Sequence, residues 1–232
     1  MIVSINQPAY LPWLGYFHRI AVSDLHIVLD DVQFEKNSFT NRNKLRMKQG
    51  WCWLTVPLKT KGRFGELINQ LEIANDQKWA NKHLNTIRMN YAKAPYFKEH
   101  IGFFVETYSH DWHYLSDLIH KTTNHILSTL QIRTPLRRSS EMKVGGRKDE
   151  LALNLCRAVG ADVYLSGPLG QNYIREKIFQ DAGIRVIYQN YIHPVYRQSH
   201  PGFEAHMSTV DLIFNHGPRS YEIMTAGQGK IV

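Results

Sequence analysis

The feature that most constrains this chain is the placing of its short apolar runs. Residues 2–5, 25–29, 134–138, 163–165 and 185–188 each read as strands. Between them lie stretches with helical spacing. Leu14, Phe17, Ile20 and Ala21 share one face of 14–22, and 148–159 and 172–182 also read as helices. Gly160, Gly167 and Gly183 fall where helices or strands should end. Strand and helix alternating at both ends of a chain imply an α/β fold: a mostly parallel, Rossmann-like sheet with helices on both faces. The middle of the chain breaks that rhythm. From 77 to 132 the spacing is helical throughout, with Leu84, Ile87 and Tyr91, then Leu115, Leu118, Ile119, Ile126, Leu127 and Leu130. That segment reads as a helical cap or insertion within a single domain spanning 1–232.

Composition narrows the class. No apolar run approaches the length of a membrane span, and the start, MIVSINQP, lacks the basic head of a signal peptide. The two cysteines, Cys52 and Cys156, sit far apart in apolar stretches, as reduced buried thiols do, which points to the cytoplasm. No Cys/His cluster has structural-zinc spacing, so no metal site is expected. The net charge of +8 calls for an anionic partner, a nucleotide-linked sugar or other phosphate-bearing ligand, or RNA; a solvated basic surface accounts for it equally well. H-E-x-x-H and nucleophile-elbow signatures are missing, which removes the common hydrolase classes.

Ligands of such sheets settle where strands end and the next loops begin. The first such loop holds Gln7, Tyr10 and Trp13, with Tyr16 just beyond. These supply amide donors and acceptors, rigid hydroxyl-bearing rings, and an indole that can stack on a base or sugar. Asp30 and Asp31 end the second strand. Adjacent carboxylates on an extended chain point opposite ways, so one of them is expected at the site, as a base or a hydroxyl acceptor. Asn41, Arg42, Asn43 and Lys44 combine directional amides with two cations, as diphosphate or sugar recognition requires. Ser166 and Tyr173 follow another strand. His193, Tyr196 and Gln198 follow the last, with His193 the candidate general base because imidazole titrates near neutrality.

The ordered segments NQPAYLPWLGYF, DDVQFEKNSFTNRNK, WLTVPL, LSGPLGQNY and YIHPVYRQ resemble the WbqC-like protein family from about residue 3 to residue 218. That resemblance implies a place in bacterial surface-polysaccharide (O-antigen) biosynthesis and amide formation, by acyl or aminoacyl transfer, on a nucleotide-linked amino sugar. Arg42 and Lys44 would bind the diphosphate, Trp13 and Tyr10 would stack on sugar or base, and His193 or Asp30 would take the amine's proton. The donor stays open between ATP with Mg and a free amino acid, and a preformed aminoacyl carrier such as a tRNA. A non-catalytic binder of nucleotide-sugar or nucleic acid fits the same residues. The opening strand, aromatic loop and helix also resemble pantothenate synthetase and related nucleotidyltransferase-like enzymes, which implies ATP-dependent nucleotidyl transfer. Where those enzymes carry His-x-Gly-His, however, this chain reads Trp13-Leu14-Gly15-Tyr16.

Overall fold

In the computed structural model, which describes residues 1–226, five strands form one all-parallel sheet. They are β1 (Ile2–Asn6), β2 (Leu25–Val28), β5 (Leu136–Arg138), β6 (Val163–Ser166) and β7 (Arg185–Tyr188), in the order β5-β2-β1-β6-β7. Two further strands, β3 (Arg42–Arg46) and β4 (Trp51–Thr55), form a separate antiparallel hairpin. The helices are α1 (Leu14–Ala21), α2 (Trp79–Tyr91), α3 (Phe97–Ser109), α4 (Leu115–Thr129), α5 (Ser139–Met142), α6 (Lys148–Ala158), α7 (Glu176–Gln180), α8 (Thr209–His216) and α9 (Ser220–Ala226).

Side-chain alternation assigns the two faces of the sheet. Val3 and Ile5 of β1, with Leu25 and Ile27 of β2, point one way and pack against Leu151, Leu155 and Cys156 of α6 and Phe179 of α7. Each such side chain, fully buried, contributes about 1.5–3 kcal/mol. The opposite face is polar at its centre. Ser4 and His26 are cross-strand partners, joined by a 2.8 Å hydrogen bond between Ser4 Oγ and His26 Nδ1, and Ser23 Oγ donates to Ser4 Oγ at 2.8 Å. There α1 covers the sheet, with the Tyr16 ring edge-on to His26 at 5.8 Å.

A larger core lies beyond α1, built from α2, α3, α4 and α8 with the inner residues of the hairpin, Leu45 and Leu54. Because α1 is wedged between this core and the sheet, every residue from Leu14 to Ile20 is buried, including His18 and Arg19. Among the described residues, no helix is long and apolar enough to cross a membrane.

Local differences from the sequence expectations have physical causes. β4 stops at Thr55, where its partner β3 begins at Arg42 opposite it, although the apolar run continues to Leu58. The helix expected over 172–182 is a 3-10 turn, Pro168–Asn172, followed by the short α7, since Pro168 starts a turn close behind Gly167.

Candidate functional site

The sheet order reverses between β1 and β6, so the loops leaving these neighbouring strands part and open a crevice at their carboxyl ends. A cavity of about 830 Å³ occupies that place, lined by Asn6, Gln7, Trp13, Tyr16, Asn43 and Tyr173 among others. Its size suits a nucleotide-sized ligand, and its lining mixes rings with amides, as ligand sites do.

Each of these side chains is there for a local reason. Gln7 immediately follows β1. The Trp13 ring lies flat across Gly15, where a Cβ would come within 2.3 Å of it, so only glycine lets the indole reach this position. Tyr16, one turn into α1, is buried, and burial pushes its phenol well above the usual range. Asn43 enters by parity: on β3 it faces inward, while Arg42 and Lys44 face out. Its Oδ1 accepts from Lys44 N at 2.8 Å, and its Nδ2 is buried without a partner among the described residues.

The other candidate residues fall elsewhere. Tyr10 is fully buried in the larger core, its hydroxyl bonded to His83 Nδ1 at 3.0 Å and to the Tyr108 hydroxyl at 2.5 Å. Tyr196 and Gln198 both donate to Asp211 Oδ2, each at 2.9 Å. Asn41 Nδ2 donates to the Val56 carbonyl at 2.9 Å, tying the hairpin to its neighbour strand's exit. Ser166 is buried at the end of β6, its Oγ packed so close to Gly170 that a Cβ there would come within 2.1 Å.

Arg42 and Lys44 form a cation–aromatic ladder on the hairpin's outer face. The guanidinium sits 4.3 Å from the Trp53 ring centre, and the ammonium 4.2 Å from that of Trp51. Neither cation lines the cavity.

The two acid–base candidates differ sharply. Asp30 is buried and saturated: it accepts from Ser140 N at 3.0 Å, Ser140 Oγ at 2.9 Å and Ser139 Oγ at 3.2 Å. Contrary to the expectation of opposed carboxylates, Asp31 Oδ1 reaches the same Ser139 Oγ, at 2.5 Å. The reason is that β2 ends at Val28, so strand alternation no longer applies two residues later. His193 is half-buried, and burial lowers its basicity first, with the neighbouring His206 adding to the effect. Its Nδ1 lies 2.9 Å from the Pro194 carbonyl, which can only accept, so the ring proton sits on Nδ1. The Nε2 lone pair has no partner among the described residues. The imidazole lies parallel to Trp13, 6.3 Å between centres, and does not itself line the cavity.

Sequence reasoning passed over Arg19, which meets Asn6 and Gln189 beneath the crevice. Arg19 Nε donates to Gln189 Oε1 at 2.9 Å and Nη1 to Asn6 Oδ1 at 2.5 Å. The available signal was the basic pair His18-Arg19 set between the apolar Phe17 and Ile20 of α1.

Comparison with known proteins finds similarity along nearly the whole chain. The model of the WbqC-like protein family matches residues 7–223. A curated protein of Mycobacterium tuberculosis, "Uncharacterized protein Rv1507c", is 37% identical over 217 residues, covering 93% of this chain and 94% of that protein. No solved structure matches this chain. With the family match spanning almost every element of the sheet, its crevice and the helical core, the chain belongs to the WbqC-like protein family.

Proposed function

We propose that the protein is an enzyme of bacterial surface-polysaccharide biosynthesis that takes a nucleotide-linked amino sugar into the cavity between β1 and β6 and forms an amide on it. The observation that carries the substrate class is the cavity itself. It lies at the switch point of a parallel sheet, is about 830 Å³ in volume, and offers an indole, three phenols and four side-chain amides to one ligand. Amide formation rests on the family resemblance.

In this reading Trp13 stacks on the base or sugar, Gln7 and Asn43 bond the sugar hydroxyls, and Tyr16 and Tyr173 orient the ring by their own hydroxyls. The amine nitrogen attacks the acyl carbon of an acyl or aminoacyl donor. The new C–N bond forms as the bond to the carrier breaks, and the amine gives up one proton. Asp30 spends its carboxylate on Ser139 and Ser140, and His193, whose Nε2 is free but buried, stands behind Trp13 off the cavity wall, so the amine's proton is assigned to neither.

A second reading, a nucleic-acid binder, is favoured by one observation. The hairpin's outer face presents Phe39, Trp51 and Trp53 interleaved with Arg42 and Lys44, the combination on which bases stack while phosphates meet cations.

Thermal-shift titration with UDP- and dTDP-linked amino sugars and with tRNA separates the two. The enzyme reading predicts a concentration-dependent rise with an amino-sugar nucleotide that Trp13→Ala abolishes and Lys44→Ala leaves intact. A rise with tRNA alone, lost in Lys44→Ala, contradicts it.

A further inference from the structure

We propose that Arg19 is the anion anchor of the crevice between β1 and β6, holding a phosphoryl group of the bound ligand. The assignment rests on reading that crevice as the ligand site and names the chemical group it recognises there.

Arg19 is 7% exposed, yet it forms no ion pair among the described residues. Its two hydrogen bonds go to neutral amide oxygens, those of Gln189 and Asn6. Its Nη2 makes no hydrogen bond among the described residues, and it is not sealed from solvent. Among the described residues, the ionisable groups that surround it are the phenols of Tyr164, Tyr16 and Tyr173 and the imidazoles of His18 and His26, with no carboxylate among them, and burial depresses its basicity. A guanidinium withdrawn from water without a counter-ion is unfavourable unless something negative completes it.

The chain contains its own control. Arg46, equally buried, uses all three nitrogens: Nε on Gln198 Oε1, Nη1 on the Met47 and Gly50 carbonyls, and Nη2 on the Pro201 carbonyl. A structural arginine in this protein is saturated, and Arg19 is not.

The surroundings of Arg19 are built to hold it in place. Gln189 Nε2 donates to the Gly15 carbonyl at 2.9 Å and meets His18 Nδ1 at 3.0 Å, which fixes its Oε1 toward Arg19. At the end of β6 the backbone runs against the guanidinium, and a Cβ on Gly167 would fall 2.9 Å from both Nη atoms. Arg19 itself is not on the cavity wall, so a phosphoryl group reaches its Nη2 between the side chains that are. Asn6, Tyr16, Tyr164 and Tyr173, all neighbours of Arg19, line the cavity. A fixed fork of N–H donors behind a crevice suits a phosphoryl group, whose oxygens accept more than one donor.

Calorimetric titration of the full chain with UDP, UDP- and dTDP-linked amino sugars, uridine, inorganic pyrophosphate and citrate tests the assignment, in wild type and Arg19→Gln. The wild type is expected to bind UDP and pyrophosphate and to bind uridine far more weakly. Arg19→Gln is expected to weaken UDP about tenfold to a hundredfold while leaving uridine unchanged. Unchanged UDP affinity in Arg19→Gln overturns the anchor, even if amino-sugar nucleotides bind the cavity. Arg19-dependent binding of citrate in place of pyrophosphate overturns the phosphoryl assignment. Arg19-dependent binding of pyrophosphate without any binding of amino-sugar nucleotides supports the anchor and overturns the function proposed above. Failure of all probes to bind wild type overturns both. Should Arg19→Gln not fold, Gly167→Ala pushes on the same guanidinium from the β6 side. It is expected to weaken UDP and spare uridine, and equal UDP affinity overturns the anchor.

Discussion

Two regions of this molecule bury charge, and they treat it differently. Where the hairpin meets α8, Asp211 is fully buried and accepts from Tyr91 at 2.8 Å and from Tyr196 and Gln198 at 2.9 Å each. Arg46 stands beside it with every nitrogen occupied. At the crevice, Arg19 meets two neutral oxygens and keeps Nη2 free and Asn43 keeps Nδ2 free, while His193, behind Trp13, keeps Nε2 free. Satisfied polar networks hold a fold together, while spare donors and acceptors at a cavity are what a ligand can use. The contrast sets the buried pair Asp211 and Arg46 apart from Arg19 without reference to any bound molecule.

The largest effect should come from breaking the satisfied region. Asp211→Ala strands three donors in the core and is expected to cost about 3–5 kcal/mol in urea unfolding. Ligand affinity of the protein that remains folded should be unchanged. Next in size is removal of the indole that roofs Gly15. Trp13→Ala should lose about 1–3 kcal/mol of binding to a nucleotide-linked sugar, the worth of one stacked base, measured by calorimetry.

Acid should then act through the buried histidines. His26 is held down to about 3 and His83 to about 4, in both cases chiefly by burial. With folded-state values below the unfolded one of about 6.5, the unfolded chain binds more protons in that window. Stability is therefore full above about pH 6.5 and falls as pH drops toward 4. Melting temperatures at pH 7.5 and 5 check the sign, and His83→Gln should flatten the slope. The smallest effect on stability is expected from Arg19→Met, within about 1 kcal/mol of wild type, since the lost hydrogen bonds are offset by removal of an uncompensated charge.

Much of the scaffold was legible from residue order. Alternating apolar runs and helical stripes gave all five parallel strands and the helical middle, because each element's pattern is local. Strand order was not legible, since pairing of β1 with β6 joins residues far apart in the chain. The site was readable in part. Gln7, Trp13 and Tyr173 gather at one cavity because the loop after a parallel strand has one place to go, and Tyr16 of α1 and Asn43 of the hairpin join them there. Tyr10 sits in that loop yet turns inward. Its backbone N–H reaches the Phe39 and Thr40 carbonyls, and the next residue, Leu11, takes a left-handed φ of 44°. Both depend on contacts that composition does not reveal. The parity of Arg42, Asn43 and Lys44 was likewise hidden until the partner strand of the hairpin was known. Arg19 was hidden for a different reason. A basic residue on a short helix normally faces water, and only the helical core stacked over α1 buries it.

The most direct test of the central claim measures two properties of two matched variants. Arg46→Met and Arg19→Met each remove one buried guanidinium, and each is assayed for unfolding free energy and for affinity toward UDP. The account predicts that Arg46→Met loses several kcal/mol of stability with UDP affinity kept, while Arg19→Met keeps its stability and loses UDP. Equal losses of stability in both variants, with UDP affinity intact in Arg19→Met, would contradict it.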